Sequence, residues 1–99
     1  MSDFKIMVVD DEAEFRNAYN LILTDKGFDV IVAASGEQCL DLLQSSLVDL
    51  VITDLKMDGM DGLQLLKLIK ERHSDCEVIM VTGSTARYRR SSKALSVIL

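Results

Sequence analysis

Four short apolar runs punctuate this chain, and three of them end on a polar residue able to do chemistry. Lys5-Ile6-Met7-Val8-Val9 runs into Asp10-Asp11, Leu47 to Thr53 into Asp54, and Glu77 to Val81 into Thr82-Gly83. The remaining run is Phe28 to Ala33. Their length and β-branched content predict strands, and the first reads as buried on both faces. Between them lie segments of helical spacing. Phe15, Ala18, Tyr19, Ile22 and Leu23 make the first, with Gly27 as its stop. Ser35 can cap the second, whose apolar side is Leu40, Leu42 and Leu43. Leu63, Leu65, Leu66 and Ile69 make the third, which closes near Arg72 and His73. Strand and helix in strict alternation predict an α/β fold, a parallel sheet with helices on both faces.

At 99 residues there is room for one domain. An apolar fraction of 48% supports one core and excludes wholesale disorder. No apolar run reaches the ~18 residues of a membrane span, and the N-terminus does not read as a signal peptide. Cys39 and Cys76 form no CxxC and read as reduced thiols, which suits the cytoplasm. A single histidine, His73, argues against a His-based metal site or a catalytic triad, and its place near a helix end suits a cation. Met7, Met57, Met60 and Met80 read as packing residues.

Charge divides the chain into a core, residues 1–83, and a basic segment, residues 84–99. The core carries 16 acidic and 7 basic side chains, whereas the segment carries Arg87, Arg89, Arg90 and Lys93 and no acid. An acidic body repels nucleic acid and attracts cations. The segment suits DNA, an acidic protein surface or a neighbouring copy, and equally a solvated helix face. Tyr88, Leu95, Ile98 and Leu99 share one helical face, so a helix is expected to about Lys93, with the end left open.

In open parallel sheets, sites form beyond the carboxyl ends of the strands. Asp10-Asp11, Asp54 and Thr82 all fall there. One acid alone would be read as a helix-terminal charge. Three converging carboxylates repel one another unless a hard cation neutralises them, and an oxygen-only donor set suits Mg²⁺. Carboxylate, Mg²⁺ and hydroxyl together point to phosphoryl chemistry with a carboxylate nucleophile. A calcium loop beginning at Asp54 fails, because Lys56 and Leu65 stand where it needs acids. Gly59 and Gly62 read as turn residues.

Three blocks, Lys5-Ile6-Met7-Val8-Val9-Asp10-Asp11-Glu12, Asp54-Leu55-Lys56-Met57-Asp58-Gly59-Met60-Asp61-Gly62-Leu63 and Val78-Ile79-Met80-Val81-Thr82-Gly83, resemble the receiver domain of two-component response regulators. The resemblance covers residues 4–83. It implies a flavodoxin-like fold with sheet order 2-1-3-4-5. It implies that Asp54 accepts a phosphoryl group from a phosphohistidine on a sensor histidine kinase. Asp11, Asp54 and the backbone carbonyl of Lys56 would bind Mg²⁺, with Asp10 acting through water and Thr82 as the switch hydroxyl. Such a domain catalyses its own phosphorylation and dephosphorylation without being a turnover enzyme.

The departures are specific. The family usually has proline where this chain has Asp58. Nothing after Gly83 matches the family's fifth strand, its terminal lysine, its aromatic switch residue or its fifth helix. Lys93 comes too early for that lysine, and Tyr88 is a poor stand-in for the aromatic. The segment therefore reads as a truncated or altered C-terminus. The rival reading is a signalling-impaired fragment that serves as a dimerisation or kinase-interaction module. A Mg²⁺-dependent phosphatase lacks the general acid it needs, since Lys56 stands two residues after Asp54. Without a fifth strand and helix, the fourth strand is an edge and one sheet face is bare. We therefore expect a homodimer, by exchange of residues 84–99 where the segment reaches. Light scattering across a wide concentration range should give a dimer mass; a monodisperse monomer throughout would refute it.

Overall fold

The computed structural model describes residues 4–81; the readings made for Thr82, Tyr88, Lys93 and the segment 84–99 lie outside the described residues. Seven elements alternate along it. They are β1 (Lys5–Val9), α1 (Ala13–Asp25), β2 (Asp29–Ala33), α2 (Gly36–Leu43), β3 (Leu50–Asp54), α3 (Gly62–Arg72) and β4 (Glu77–Val81). The strands form one parallel sheet in the order β2-β1-β3-β4. This is the order expected from the sequence, as far as the described strands go. No helix among the described residues is long and apolar enough to cross a membrane.

The strand period of two sorts β1 between two apolar layers. Met7 and Val9 point to one face, where they pack with Ala33, Val51 and Val78 and with Cys39, Leu40, Leu65 and Ile69 from α2 and α3. Ile6 and Val8 point to the other, with Ile52 and the half-buried Tyr19 and Leu23 of α1. One face thus carries two helices and a closed core. Among the described residues the other carries α1, which has no fully buried residue. Phe15 and Ile22, two of the residues whose spacing marks this helix, are exposed.

Local chemistry fixes the element ends. Lys26 and Gly27 close α1: the Gly27 N–H donates to the Thr24 carbonyl and the Phe28 N–H to that of Leu23. This closure needs a left-handed residue, and Gly27 supplies it at φ +96°. Phe28 consequently belongs to the turn, its ring against Phe4, and β2 begins one residue later than the apolar run suggests. Ser35 caps α2 as expected, its Oγ accepting the Gln38 N–H at 3.0 Å.

The third strand departs more from expectation. It begins at Leu50, not Leu47, and it includes Asp54. Asp49 brackets its start: the Asp49 N–H donates to the Lys5 carbonyl at 2.9 Å, and the Asp49 carboxylate accepts the Lys5 N–H at 2.8 Å. Pairing with β1 then begins at Leu50 opposite Ile6. Leu47 lies in the preceding connection and is 92% exposed. Both thiols are free and buried. Burial raises Cys39 to about 12 and Cys76 to about 11, so both stay protonated.

These placements separate two leucines that a sequence pattern treats alike. Leu65→Ala should cost about 2–5 kcal/mol, because Leu65 is fully buried between α3 and the sheet. Leu47→Ala should change stability by less than about 0.5 kcal/mol. Urea unfolding of the two variants checks both.

Candidate functional site

The strand order creates the site. The chain leaves β1 for β2 on one side and then crosses to β3 on the other. The carboxyl ends of β1 and β3 therefore flank the point where connections diverge, which leaves a crevice. Asp10 and Asp11 follow β1, and Asp54 ends β3. Their carboxylate oxygens lie within 4.8 Å of one another. The structure thus brings together three of the residues singled out by sequence, from positions 43 and 44 apart in the chain.

Each acid is held differently. Asp10 is buried, and its carboxylate accepts the Glu12 N–H at 2.9 Å. The Asp10 carbonyl accepts from the Arg16 guanidinium at 2.7 Å, which ties the β1 end to α1. Asp11 is exposed, and its Oδ2 accepts the Asp58 N–H at 3.0 Å. Asp54 is half-buried, in register with Val81 of β4. A cleft of about 550 Å³ opens over the cluster, lined by Asp11, Asp54, Lys56, Asp58 and Asp61 among others. Lys56, expected to offer its carbonyl, is therefore on the cleft wall. Thr82, the expected hydroxyl, lies outside the described residues.

Electrostatics record the crowding. Burial raises the Asp54 carboxyl above its ordinary 3.8, and the Asp10 carboxylate adds to this. The backbone N–H groups of Leu55 and Lys56 pull the other way, and Asp11 pushes up slightly. No cation among the described residues counts among these influences. The phenol of Tyr19 on α1 is raised too, first by burial and then by Asp10 and Asp54. An anionic, oxygen-only cluster whose Asp54 carboxyl no side-chain cation among the described residues lowers fits a hard divalent metal such as Mg²⁺.

Sequence reasoning misses one functional position. Gly62 reads, with Gly59, as a turn residue. Gly59 does take a turn conformation, at φ +78°. Gly62 instead opens α3, and a Cβ there would collide with the Asp54 carbonyl oxygen. Its N–H donates to the Leu55 carbonyl at 2.9 Å. Only a residue without a side chain lets α3 start against the end of β3. The signal that could have found it is the capping pair that follows: Asp61 Oδ1 accepts the Gln64 N–H, and Gln64 returns a bond to the Asp61 N–H. That pair fixes the helix start at Gly62.

A parallel sheet of this order with an acidic cluster at its carboxyl edge defines the flavodoxin-like receiver class. The chain belongs to the response regulator receiver domain family, which it matches over residues 6–97. That match runs past Gly83, where the sequence blocks stop. It is 37% identical over 83 residues to sporulation initiation phosphotransferase F of Bacillus subtilis, covering 84% of this chain and 67% of that one. It is 41% identical over 85 residues to a putative NtrX-like response regulator of Rickettsia bellii, covering 84% of this chain but only 18% of that protein. Among solved structures, a response regulator of Thermotoga maritima in complex with Mg²⁺–BeF superposes with a TM-score of 0.81 at 32% identity. That likeness covers 90% of this chain and 76% of that one.

The raised Asp54 carboxyl carries a stability consequence. Folded Asp54 holds its proton to higher pH than unfolded Asp54, so its ionisation opposes folding. The penalty is absent below pH 3.8 and complete once pH exceeds the folded-state value. Asp54→Asn should therefore melt higher than the parent at pH 7 without divalent metal. The gap should narrow as pH falls toward 4. Melting curves of both proteins in EDTA across that range check it.

Proposed function

We propose that this chain is a phosphoacceptor domain that takes a phosphoryl group from a sensor histidine kinase onto Asp54. The observation that carries the reading is the convergence of Asp10, Asp11 and Asp54 within 4.8 Å at the carboxyl edge of the sheet. Family membership adds weight, as does likeness to a regulator solved with Mg²⁺–BeF.

In the proposed reaction an Asp54 carboxylate oxygen attacks phosphorus in line with the phosphorus–nitrogen bond of a phosphohistidine. The new oxygen–phosphorus bond forms as the nitrogen leaves with its electron pair. Asp54 suits the role because it is only half-buried and faces an open cleft. Asp11, Asp54 and the Lys56 carbonyl would hold Mg²⁺, with Asp10 behind them through water. Bound there, Mg²⁺ supplies charge neutralisation for the cluster and for the phosphoryl oxygens. Asp10 and Arg16 keep the β1 end anchored while charge accumulates. The phosphoryl group, of charge about −1.5 to −2, then replaces the single negative charge of the Asp54 carboxylate and biases the domain between two states, with Thr82 as the hydroxyl that turns to the new oxygen. Homodimerisation belongs to the same reading. It is supported by β4 lying at one margin of the described sheet with Ile79 and Val81 half-buried. Relatives such as NtrC of Klebsiella pneumoniae bind DNA, but this chain spans only 16% of that protein.

Intact mass after incubation with acetyl phosphate, with and without Mg²⁺, tests the proposal. The expected result is a Mg²⁺-dependent gain of one phosphoryl group that Asp54→Asn abolishes. A folded chain that gains nothing would move the assignment to an interaction module.

A further inference from the structure

The most exposed member of the acidic cluster has an unusual anchor. Asp11 belongs to the connection after β1, and Asp58 to the loop between β3 and α3, 47 residues on. The Asp58 N–H donates to Asp11 Oδ2 at 3.0 Å. Asp10 is fixed by burial and by its own turn, and Asp54 by its strand. Asp11 has neither. Repulsion from two neighbouring carboxylates would drive its exposed side chain toward solvent. A backbone N–H aimed at an anionic oxygen is a charge-assisted bond that opposes that drift.

We propose that the Asp58 backbone amide is a positioning group: it holds Asp11 inside the cluster and links it to the β3–α3 loop that carries Lys56. This rests on the reading of the cluster as a divalent cation site. The receiver pattern usually has proline at this position, and proline has no N–H to donate; Asp58 has one, and the bridge uses it. The bridge has two consequences. Asp11 is pre-oriented before a cation arrives, as outer-shell donors pre-orient metal ligands. A cation that draws in Asp11 also draws on the loop between Leu55 and Asp61, which coordinates the two walls of the cleft.

Two variants isolate the N–H from the side chain. Asp58→Ala and Asp58→Pro both lose the carboxylate, but only the second loses the donor. Calorimetric titration with MgCl₂ should show Asp58→Pro binding about tenfold more weakly than Asp58→Ala, at similar melting temperatures. Amide exchange followed by NMR in metal-free protein gives a second reading that needs no proline. The Asp58 amide should exchange about tenfold faster in Asp11→Ala than in the parent. Equal Mg²⁺ affinity in the two Asp58 variants, or an Asp58 exchange rate indifferent to Asp11→Ala, overturns the proposal. A parent chain that binds no Mg²⁺ overturns the cation-site reading and the pre-orientation with it, whereas the exchange experiment still decides whether the bridge exists.

Discussion

Mutual repulsion among three carboxylates is the constraint around which this molecule is arranged. Left to themselves, Asp10, Asp11 and Asp54 would separate into water. Oxygens within 4.8 Å of one another therefore imply that something else fixes the backbone. That something is the apolar interior of the sheet. Four residues of β1, Ile6 to Val9, are almost wholly inaccessible, and so is Val51 in β3. Each such side chain contributes about 1.5–3 kcal/mol of transfer free energy. The β1 and β3 registers are locked by that burial, since a slip of one residue would turn every apolar side chain to the wrong face. The acids follow the strands to wherever the core sends them.

The two faces of the sheet do not share this work equally. The layer formed with α2 and α3 is closed and contains most of the fully buried side chains. Among the described residues, the layer under α1 rests on Ile6, Val8 and Ile52, with half-buried partners above. Among the described residues, most of the closed core thus lies on the side that positions β3 and the loop after it. The side of α1 is joined to the site by a polar link as well, through the Arg16 guanidinium on the Asp10 carbonyl.

Much of this is legible in the sequence because the governing interactions are local or periodic. Strand and helix alternation, the Ser35 cap and the Gly27 stop each follow from a few adjacent residues. The convergence of Asp10, Asp11 and Asp54 follows from topology, because acids at the ends of neighbouring parallel strands must meet. What escapes depends on contacts between distant segments. Leu47 reads as strand because it is apolar, but Asp49 starts the pairing by bracketing Lys5. Phe15 and Ile22 share the helical spacing of Tyr19 and Leu23, but nothing in the spacing says how much core lies beneath each of them. Gly62 reads as a turn residue because its true constraint, the Asp54 carbonyl in the space a Cβ would need, belongs to another element.

The division of labour within the cluster follows from how each acid is held. Asp10 is buried with a local N–H partner, so it contributes a fixed negative potential more than a movable ligand. Asp54 is half-exposed at a strand end, and burial and the Asp10 charge both raise its carboxyl. A carboxylate so placed is a stronger base than one in water. Asp11 is the exposed member, and the backbone of another loop restrains it. The three residues are chemically identical side chains, yet the fold holds them at three depths and against different partners. That differentiation needs no special residue type. It comes from depth below the surface and from which N–H each oxygen can reach.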